Sequence, residues 1–249
     1  GVVLNREGLI VTDASLTLNS ASLDNSKNGV ISGKGPVRVQ TGALDNSHNG
    51  KLNSGDTLDL KATQLTNQDG GRIASAAALT ANVTGLDQQG GQLFSNTSLD
   101  LDLNHGQLNN QNGLIGAPLL MLKNLQDVNN DGGEISSAHA FTVAARSLDN
   151  SNGKLLSNQA VTLRIDQALS NLKGMIAAAA LDIKAASLDN SGGTVTSRAN
   201  LDLNLDGLLT NQNLGLINAT SGLTINSNGL NNQNGSLLGS AIAIDFGAA

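Results

Sequence analysis

Two pairs of aspartates have the spacing that could support chemistry in this 249-residue chain. Asp24 and Asp45 lie 21 residues apart, and Asp182 and Asp202 lie 20 residues apart. Two carboxylates one strand spacing apart could share a calcium ion or act as an acid and base pair. Calcium takes roughly six to eight oxygen ligands, and the chain lacks the GGxGxD nonapeptide of calcium-binding rolls. We therefore favour solvated outward carboxylates and leave an ion at either pair open.

A recurring phrase decides which of these residues can meet. An aliphatic anchor is followed two residues later by an amide residue and five or six residues later by Gly, and the phrase returns eleven times at spacings of 19 to 22 residues. The anchors are Leu23, Leu44, Leu65, Leu86, Leu108, Val128, Leu148, Leu169, Leu188, Leu209 and Leu230. A period of about 21 residues is typical of a solenoid, in which each repeat buries its apolar face against its neighbours.

Asparagine fills the amide position in ten of the eleven copies, and Gln88 fills it in the other. The ten are Asn25, Asn46, Asn67, Asn110, Asn130, Asn150, Asn171, Asn190, Asn211 and Asn232. Stacked side-chain amides can hydrogen-bond along a stack, as in cross-β assemblies, or each Asn can satisfy its own turn backbone. We favour the ladder and predict a structural Asn column.

Short alternating segments between the turns predict strands. VRV at Val37, LDL at Leu58 and VTLRI at Val161 have the period of two that gives a strand one buried face. No segment carries a sustained apolar pattern at helical spacing. We predict an all-β fold, a right-handed parallel β-helix of about 11 to 12 turns with ~21 residues per turn. We expect residues 1–249 to form a single continuous segment of a longer filament.

Other candidates for chemistry hold different positions in the repeat or stand alone. His48, His105 and His139 fall at three different positions, so we expect no histidine metal site or catalytic cluster. Arg164 and Lys184 align and could contact an anion, although isolated surface charge is favoured. The sequence has no GxSxG, HExxH, P-loop or CxxC motif, and its even spacing leaves no room for a long active-site loop. We predict no catalytic, metal-binding or cofactor-binding residues.

The composition argues against several classes of partner. The chain has no Cys, Trp or Tyr and three Phe, so the aromatic residues that dominate strong interfaces are scarce. A net charge of −6 argues against nucleic acid. No apolar run approaches the ~20 residues that cross a bilayer, so we expect no membrane insertion.

The repeat is least regular over residues 114–125. There LIGAPLLMLKNL replaces the alternation with a near-continuous apolar run. Leu114, Leu119, Leu120 and Met121 form a candidate contact patch, since an exposed apolar cluster often marks a binding site. The plainer interpretation is a turn with a bulge around Pro118.

The copies LDNSNGKL at Leu148 and LDNSGGTV at Leu188 resemble the haemagglutinin repeats of filamentous haemagglutinin-like exoproteins. These two-partner-secreted proteins of Gram-negative bacteria include adhesins and the stick proteins of contact-dependent growth inhibition. Less perfect copies cover nearly the whole chain. The resemblance implies a β-helical surface filament, exported through an outer-membrane transporter, that holds a distal receptor-binding or toxin-bearing segment away from the cell. No part of the chain resembles the secretion domain or a toxin.

These observations favour a non-catalytic structural shaft of a secreted bacterial filament, with the flanking repeats of the same chain as its partners. The alternative is an adhesin module that binds a host or target-cell receptor or glycan through a lateral face. A third and weaker hypothesis is a β-helical polysaccharide-active enzyme. An exposed apolar cluster that interrupts the repeat would favour the adhesin.

Overall fold

Strands are the regular elements of this protein. The computed structural model describes residues 1–247, which contain thirty strands and no helix. In chain order they are β1 Val2–Leu4, β2 Leu9–Thr12, β3 Leu16–Asn19, β4 Ser22–Asp24, β5 Val30–Gly33, β6 Val37–Gln40, β7 Ala43–Asp45, β8 Lys51–Ser54, β9 Leu58–Lys61, β10 Gln64–Thr66, β11 Arg72–Ser75, β12 Leu79–Asn82, β13 Leu86–Asp87, β14 Gln92–Ser95, β15 Ser98–Asn109, β16 Leu114–Ala117, β17 Leu119–Asn129, β18 Glu134–Ser137, β19 Phe141–Ala145, β20 Ser147–Asp149, β21 Lys154–Ser157, β22 Ala160–Ser170, β23 Met175–Ala178, β24 Ala180–Asp189, β25 Thr194–Ser197, β26 Leu201–Leu205, β27 Leu208–Thr210, β28 Leu216–Asn226, β29 Gly229–Asn231 and β30 Ser236–Asp245.

The chain forms two compact units, unit 1 over Gly1–Gln126 and unit 2 over the described residues from Asp127 onward. In each unit the strands pair in parallel with the equivalent strands of the next turn. The chain makes about 12 turns of ~21 residues. The predicted all-β parallel solenoid without helix is therefore confirmed.

Unit 1 is built from three columns of short strands. β4, β7 and β10 pair in one column, β5, β8 and β11 in the second, and β6, β9 and β12 in the third. In the second column Ile31, Leu52, Ile73 and Leu93 stand in register, and each is no more than 1% exposed. Each such residue stabilises the fold by about 1.5 to 3 kcal/mol through burial of its side chain. The core of unit 1 is thus made of columns of aliphatic side chains.

Unit 2 repeats this plan, and in β22, as in β15 of unit 1, two strands of one turn join into one longer strand. β22 pairs with β24 along both its halves, and the register shifts between Ile165 and Ala168 where the two halves join. The inner residues Leu163, Ile183 and Leu203 continue a buried column. Two predicted strands of one turn therefore merge into a single bent strand at these positions.

The turn after each anchor requires glycine because neighbouring turns approach closely there. A Cβ atom added to Gly174 would lie 2.1 Å from the backbone oxygen of Asn150 in the preceding turn. The residue before this glycine adopts a left-handed conformation in many turns, as Asn152 does with φ of 55°. Asparagine tolerates that conformation better than most residues. The glycine in the repeat is thus a packing requirement, and the Asn before it suits the turn backbone.

Candidate functional site

The amide side chain of the repeat points into the core because it follows the anchor by two residues on an extended backbone. In the turn that begins with the anchor Leu169, Asn171 is 0% exposed. Nine of the ten predicted asparagines, all except Asn232, are 0% exposed, and so is Gln88. A buried amide must find hydrogen-bond partners, since leaving one unpaired costs about 1 to 3 kcal/mol.

In unit 2 these amides bond to one another from turn to turn. The Nδ2 of each donates to the Oδ1 of the next at 2.7 to 2.8 Å, through Asn130, Asn150, Asn171, Asn190, Asn211 and Asn232. In unit 1 the same bond joins Asn5, Asn25, Asn46 and Asn67 at 2.7 Å. Gln88 continues the row with longer bonds, accepting from Asn67 at 3.1 Å and donating to Asn110 at 3.2 Å. In every one of these bonds the donor comes from the earlier turn.

Several of these amides also donate to the backbone of their own turn and of the next one, namely Asn5, Asn46, Asn130, Asn150, Asn171 and Asn190. Asn171 Nδ2 donates to the carbonyl oxygen of Gly174 at 3.3 Å and to that of Thr194 at 3.2 Å. The two roles considered from the sequence, a ladder between turns and a bond to the turn backbone, are therefore filled by the same side chain. Asn5 belongs to the same row, since Val3, Asn5 and Gly8 reproduce the phrase ahead of the anchor Leu23.

The aspartates that lie between the anchor and the Asn accept hydrogen bonds from groups of their own turn. Asp24 and Asp45 stand in register, and each accepts a hydrogen bond from the backbone N–H two residues later. Asp24 also accepts from the Ser26 hydroxyl and from Arg6. Partial burial raises the pKa of Asp24, but the bonds from Ser26 and Arg6 outweigh it, so the pKa lies below its ordinary value. Ionised Asp24 thus links the first two turns.

The second aspartate pair lies on the outer face of unit 2. Asp182 and Asp202 stand in register, as do Arg164 and Lys184. Both guanidinium nitrogens Nη1 and Nη2 of Arg164 contact the Asp182 carboxylate. An open groove there is lined by Arg164, Asp182, Lys184, Asn204, Asp206 and Asn226. The Arg164 charge is thereby matched by a carboxylate of the next turn.

A further ion pair braces neighbouring turns at Asp127. Its carboxylate accepts from the Arg146 guanidinium and from the Ser147 hydroxyl, the latter at 2.7 Å. These hydrogen bonds, from Arg146 first and then Ser147, hold the pKa of Asp127 below its ordinary value. The same pairing raises the pKa of Arg146.

The three histidines occupy separate places. His48 lies 3.6 Å from the Asp69 carboxylate across one turn, and its ring nitrogen Nδ1 lies 2.8 Å from the Ser47 hydroxyl. Among residues 1–247, no group of three or more His, Cys, Asp or Glu side chains is arranged to hold a metal ion.

A second set of buried polar side chains was missed by sequence reasoning. Serines end many of the middle strands of each turn and are at most 8% exposed, namely Ser54, Ser75, Ser95, Ser157 and Ser197. Their hydroxyls donate to nearby carbonyl oxygens, as Ser197 does to Asn200 at 2.7 Å. The available signal was a serine three residues after the first residue of these strands, in KLNS, RIAS, QLFS, KLLS and TVTS.

The candidate contact patch is divided by the pleat of β17. Leu119 and Met121 are 49% and 45% exposed, whereas Leu120 between them is 3% exposed. Leu114 in β16 is half-buried. Leu120 therefore belongs to the core, and the surface that remains consists of Leu119 and Met121.

Each unit is thus a parallel β-solenoid repeat whose turns are joined by buried aliphatic columns, amide ladders and outer ion pairs. The described part of the chain contains no helix long and apolar enough to span a membrane. A family model for the haemagglutinin repeat matches residues 1–62, 34–118, 98–204, 173–213 and 200–245. The chain belongs to the haemagglutinin-repeat family. Comparison with curated proteins and with solved structures finds no match.

Family membership and fold together identify a filamentous haemagglutinin-like structural or adhesin region. The family is typically of a non-catalytic adhesin type, and membership suggests a secreted, surface-associated bacterial protein.

Proposed function

We propose that this segment is the structural shaft of a secreted surface filament, which holds a distal adhesive or toxin-delivery segment away from the cell. The observation that carries the proposal is the repeated stacking of like turns within each unit, tied by buried amide ladders. Each added turn contributes about 4.8 Å of height. A repeat of this kind provides length and stiffness without a specialised site.

The outer charges support a passive, non-catalytic role. Arg146 pairs with Asp127 and Lys123 pairs with Asp100, in each case across adjacent turns. These partners are partly exposed, so solvent screens each pair and it adds little to stability. In this arrangement each of these charged groups contacts a group of the neighbouring turn. It is therefore less available to contact a ligand.

The setting of the filament rests on the resemblance to filamentous haemagglutinin-like exoproteins. That resemblance supports location at the surface of a Gram-negative cell and export through an outer-membrane transporter. It also supports flanking repeats of the same chain as the partners of this segment. The absence of Cys from the sequence fits passage of an unfolded chain through a narrow pore. Stability that depends on nearest neighbours lets turns fold one after another as they emerge.

Removal of one whole turn tests the shaft. Deletion of residues 148–168 brings the anchor Leu169 directly after the turn of Val128, with the repeat unbroken. We expect the shortened protein to keep its β-sheet circular dichroism and, in the full-length exoprotein, the activity of the distal segment. Deletion of residues 148–158 alone is the matched control, because half a turn puts each strand against the wrong partner. Loss of distal activity in a whole-turn deletion that still folds would contradict the proposal.

An adhesin module is the second candidate, favoured by the exposed apolar pair Leu119 and Met121 on one side of β17. Binding of the isolated chain to host cells, target cells and glycan arrays separates the two functions. A shaft gives no saturable binding. An adhesive face gives saturable binding that Met121→Asp removes and Met175→Asp, at a similarly exposed methionine, leaves intact. Turnover of acidic polysaccharides by the chain would refute the non-catalytic assignment.

A further inference from the structure

Four turns with a described neighbour on each side contain an Asn–Gly pair. The pairs are Asn28–Gly29, Asn49–Gly50, Asn112–Gly113 and Asn152–Gly153. An asparagine followed by glycine is prone to a spontaneous backbone reaction, because glycine has no Cβ to shield its nitrogen. In each pair the asparagine is exposed and the glycine is buried. Water therefore reaches the asparagine side chain, while the glycine nitrogen lies inside the stack.

The reaction of such a pair converts the asparagine side-chain amide into a carboxylate. The glycine nitrogen attacks the side-chain carbon Cγ, the Cγ–Nδ2 bond breaks, and Nδ2 leaves as ammonia with the proton of the glycine N–H. Water then adds to either carbonyl of the resulting cyclic imide and opens the ring. The product is aspartate, or isoaspartate in which the main chain runs through the former side chain. Ring closure requires rotation of the Asn–Gly peptide plane, since the glycine nitrogen must reach Cγ.

In the folded chain hydrogen bonds hold this peptide plane in place. The N–H of Gly153 donates to the carbonyl oxygen of Asn150 at 3.0 Å. The carbonyl oxygen of Gly153 accepts from the Met175 N–H of the next turn at 2.8 Å and from Asn150 Nδ2 at 3.3 Å. The N–H of Asn152 donates to the carbonyl oxygen of Leu172 at 2.8 Å. Rotation of the Asn152–Gly153 plane would break the first of these bonds and displace the others.

Close packing of the turns adds a second restraint. A Cβ atom added to Gly153 would overlap the backbone oxygen of Asn130 in the preceding turn, so this glycine already lies against that backbone. Gly50 is held in the same way, since its N–H donates to Ser47 O at 3.1 Å and its carbonyl oxygen accepts from the Arg72 N–H at 2.8 Å. The asparagines of all four pairs have a left-handed backbone with φ of 53° to 64°. Ring closure therefore requires the turns to separate locally.

Neither product of the reaction fits the stacked turn as asparagine does. Isoaspartate would add one carbon to the backbone after Asn150, where each backbone bond to the next turn depends on normal hydrogen-bond distances. Aspartate would keep the backbone but would lose the Nδ2 group of Asn152, which donates to the Asp131 carboxylate at 2.9 Å. It would place a second carboxylate beside Asp131. Isoaspartate is the more damaging product, because it changes the spacing of the backbone itself.

We propose that these four Asn–Gly pairs are modification sites that are closed while the turns are stacked and open when the turns separate. Isoaspartate formed in the separated state then prevents the affected turn from stacking again. The inference goes beyond the shaft function and rests only on the contacts between turns. Its consequence is a chemical limit on the time that the chain can spend unfolded, since a chain modified before it folds does not reach the native state.

Peptide mapping by mass spectrometry tests whether the folded stack closes the sites. The unaltered chain is incubated in mildly alkaline buffer, once folded and once in guanidinium chloride, and the conversion of each pair is followed with time. A reaction that needs local opening is slowed by the rarity of the open state, so conversion should be at least about tenfold slower in the folded chain. Circular dichroism verifies that the folded sample stays folded. Equal rates of conversion in the two samples would overturn the proposal.

Refolding tests whether the modified turns can stack again, and it needs a control variant without the reactive amides. That variant carries Asn28→Gly, Asn49→Gly, Asn112→Gly and Asn152→Gly. Glycine is the native residue directly before the repeat glycine in four other turns, where Gly70, Gly90, Gly132 and Gly192 have positive φ. The variant should therefore fold as the unaltered chain does.

Both proteins are held unfolded for increasing times and then diluted into native buffer, and the recovered β-sheet circular dichroism is compared with the isoaspartate content. The unaltered chain should lose recovery in step with isoaspartate formation, whereas the variant should lose it more slowly. Asn228 and Asn234 also precede glycine and remain in both proteins, so they set the slower loss of the variant. Equal loss of recovery by the two proteins would overturn the proposal, as would full recovery of chains that contain isoaspartate at the four pairs.

Discussion

Replacement of Asn171 by Ala is expected to destabilise unit 2 by about 3 to 4 kcal/mol. The substitution removes three bonds donated by Nδ2, to Asn190 Oδ1 at 2.7 Å, Thr194 O at 3.2 Å and Gly174 O at 3.3 Å. It also removes the bond that Oδ1 accepts from Asn150 at 2.7 Å. A hydrogen bond contributes about 1 kcal/mol net, and the two longer bonds contribute less than the two short ones. The loss is large because the partners left behind are buried, where water cannot replace the missing amide.

The assay is equilibrium denaturation in guanidinium chloride followed by circular dichroism. Asn204→Ala is the matched control, since Asn204 is exposed and accepts one side-chain bond, from Asn226 at 2.8 Å. We expect the control to change the free energy of unfolding by no more than about 0.5 kcal/mol. Equal effects of the two substitutions would refute the reasoning, because burial and the number of hydrogen bonds would then not determine the cost.

Three further predictions concern the turn, the core and the acid response. Gly174→Ala should lower the melting temperature sharply, because the added Cβ would lie 2.1 Å from a carbonyl oxygen of the preceding turn; an unchanged melting temperature would contradict this. Ile176→Ala should cost about 2 to 5 kcal/mol in denaturant titrations, since Ile176 is 0% exposed. Met175→Ala, at a side chain 40% exposed, should cost clearly less. The pKa of Asp127 is lowered by Arg146 from its ordinary value of 3.8, so this pair should stabilise the protein above that value and cease to do so as the pH falls through the lower folded pKa. Denaturation midpoints of the unaltered protein and of Asp127→Asn should be measured against pH, and the Asp127→Asn midpoint should fall less as the pH is lowered. If the midpoints of both proteins fall equally with pH, the Asp127–Arg146 pair does not contribute to the acid sensitivity.

The contacts of the inner columns could be predicted because the backbone alone determines them. On an extended strand the anchor Leu169 and the amide Asn171 must share a face, and equal spacing brings each to its equivalent in the next turn. The sequence shows that glycine recurs in the phrase, whereas the close approach that makes Gly174 necessary is visible only with the neighbouring turn in place.

Outer contacts were harder to predict because they depend on side-chain conformation. The sequence placed Asp24 beside Asp45, but it did not reveal that Ser26 and Arg6 occupy the Asp24 carboxylate. Serine occurs in many surroundings, so the buried hydroxyl of Ser197 gave little signal of its own.

The apolar run of residues 114–125 was ambiguous for another reason. Alternation identifies the inner face only where inner and outer residues differ in type. Leu119 and Leu120 are both leucine but lie on opposite faces of β17. Because the strand is pleated, Leu119 is 49% exposed and Leu120 is 3% exposed.

The common direction of the amide bonds gives each ladder an electrical polarity. Since every Nδ2 donates to the turn that follows it in the chain, the side-chain dipoles of a unit are aligned head to tail, and aligned amides polarise one another. A chain that folds from its first residues onward leaves at its growing edge an N–H group that the preceding amides have made a stronger donor. The next asparagine oxygen to arrive meets that donor at a fixed height and a fixed rotation. The ladder can therefore act as a guide that sets the register of each new turn before its aliphatic side chains have packed.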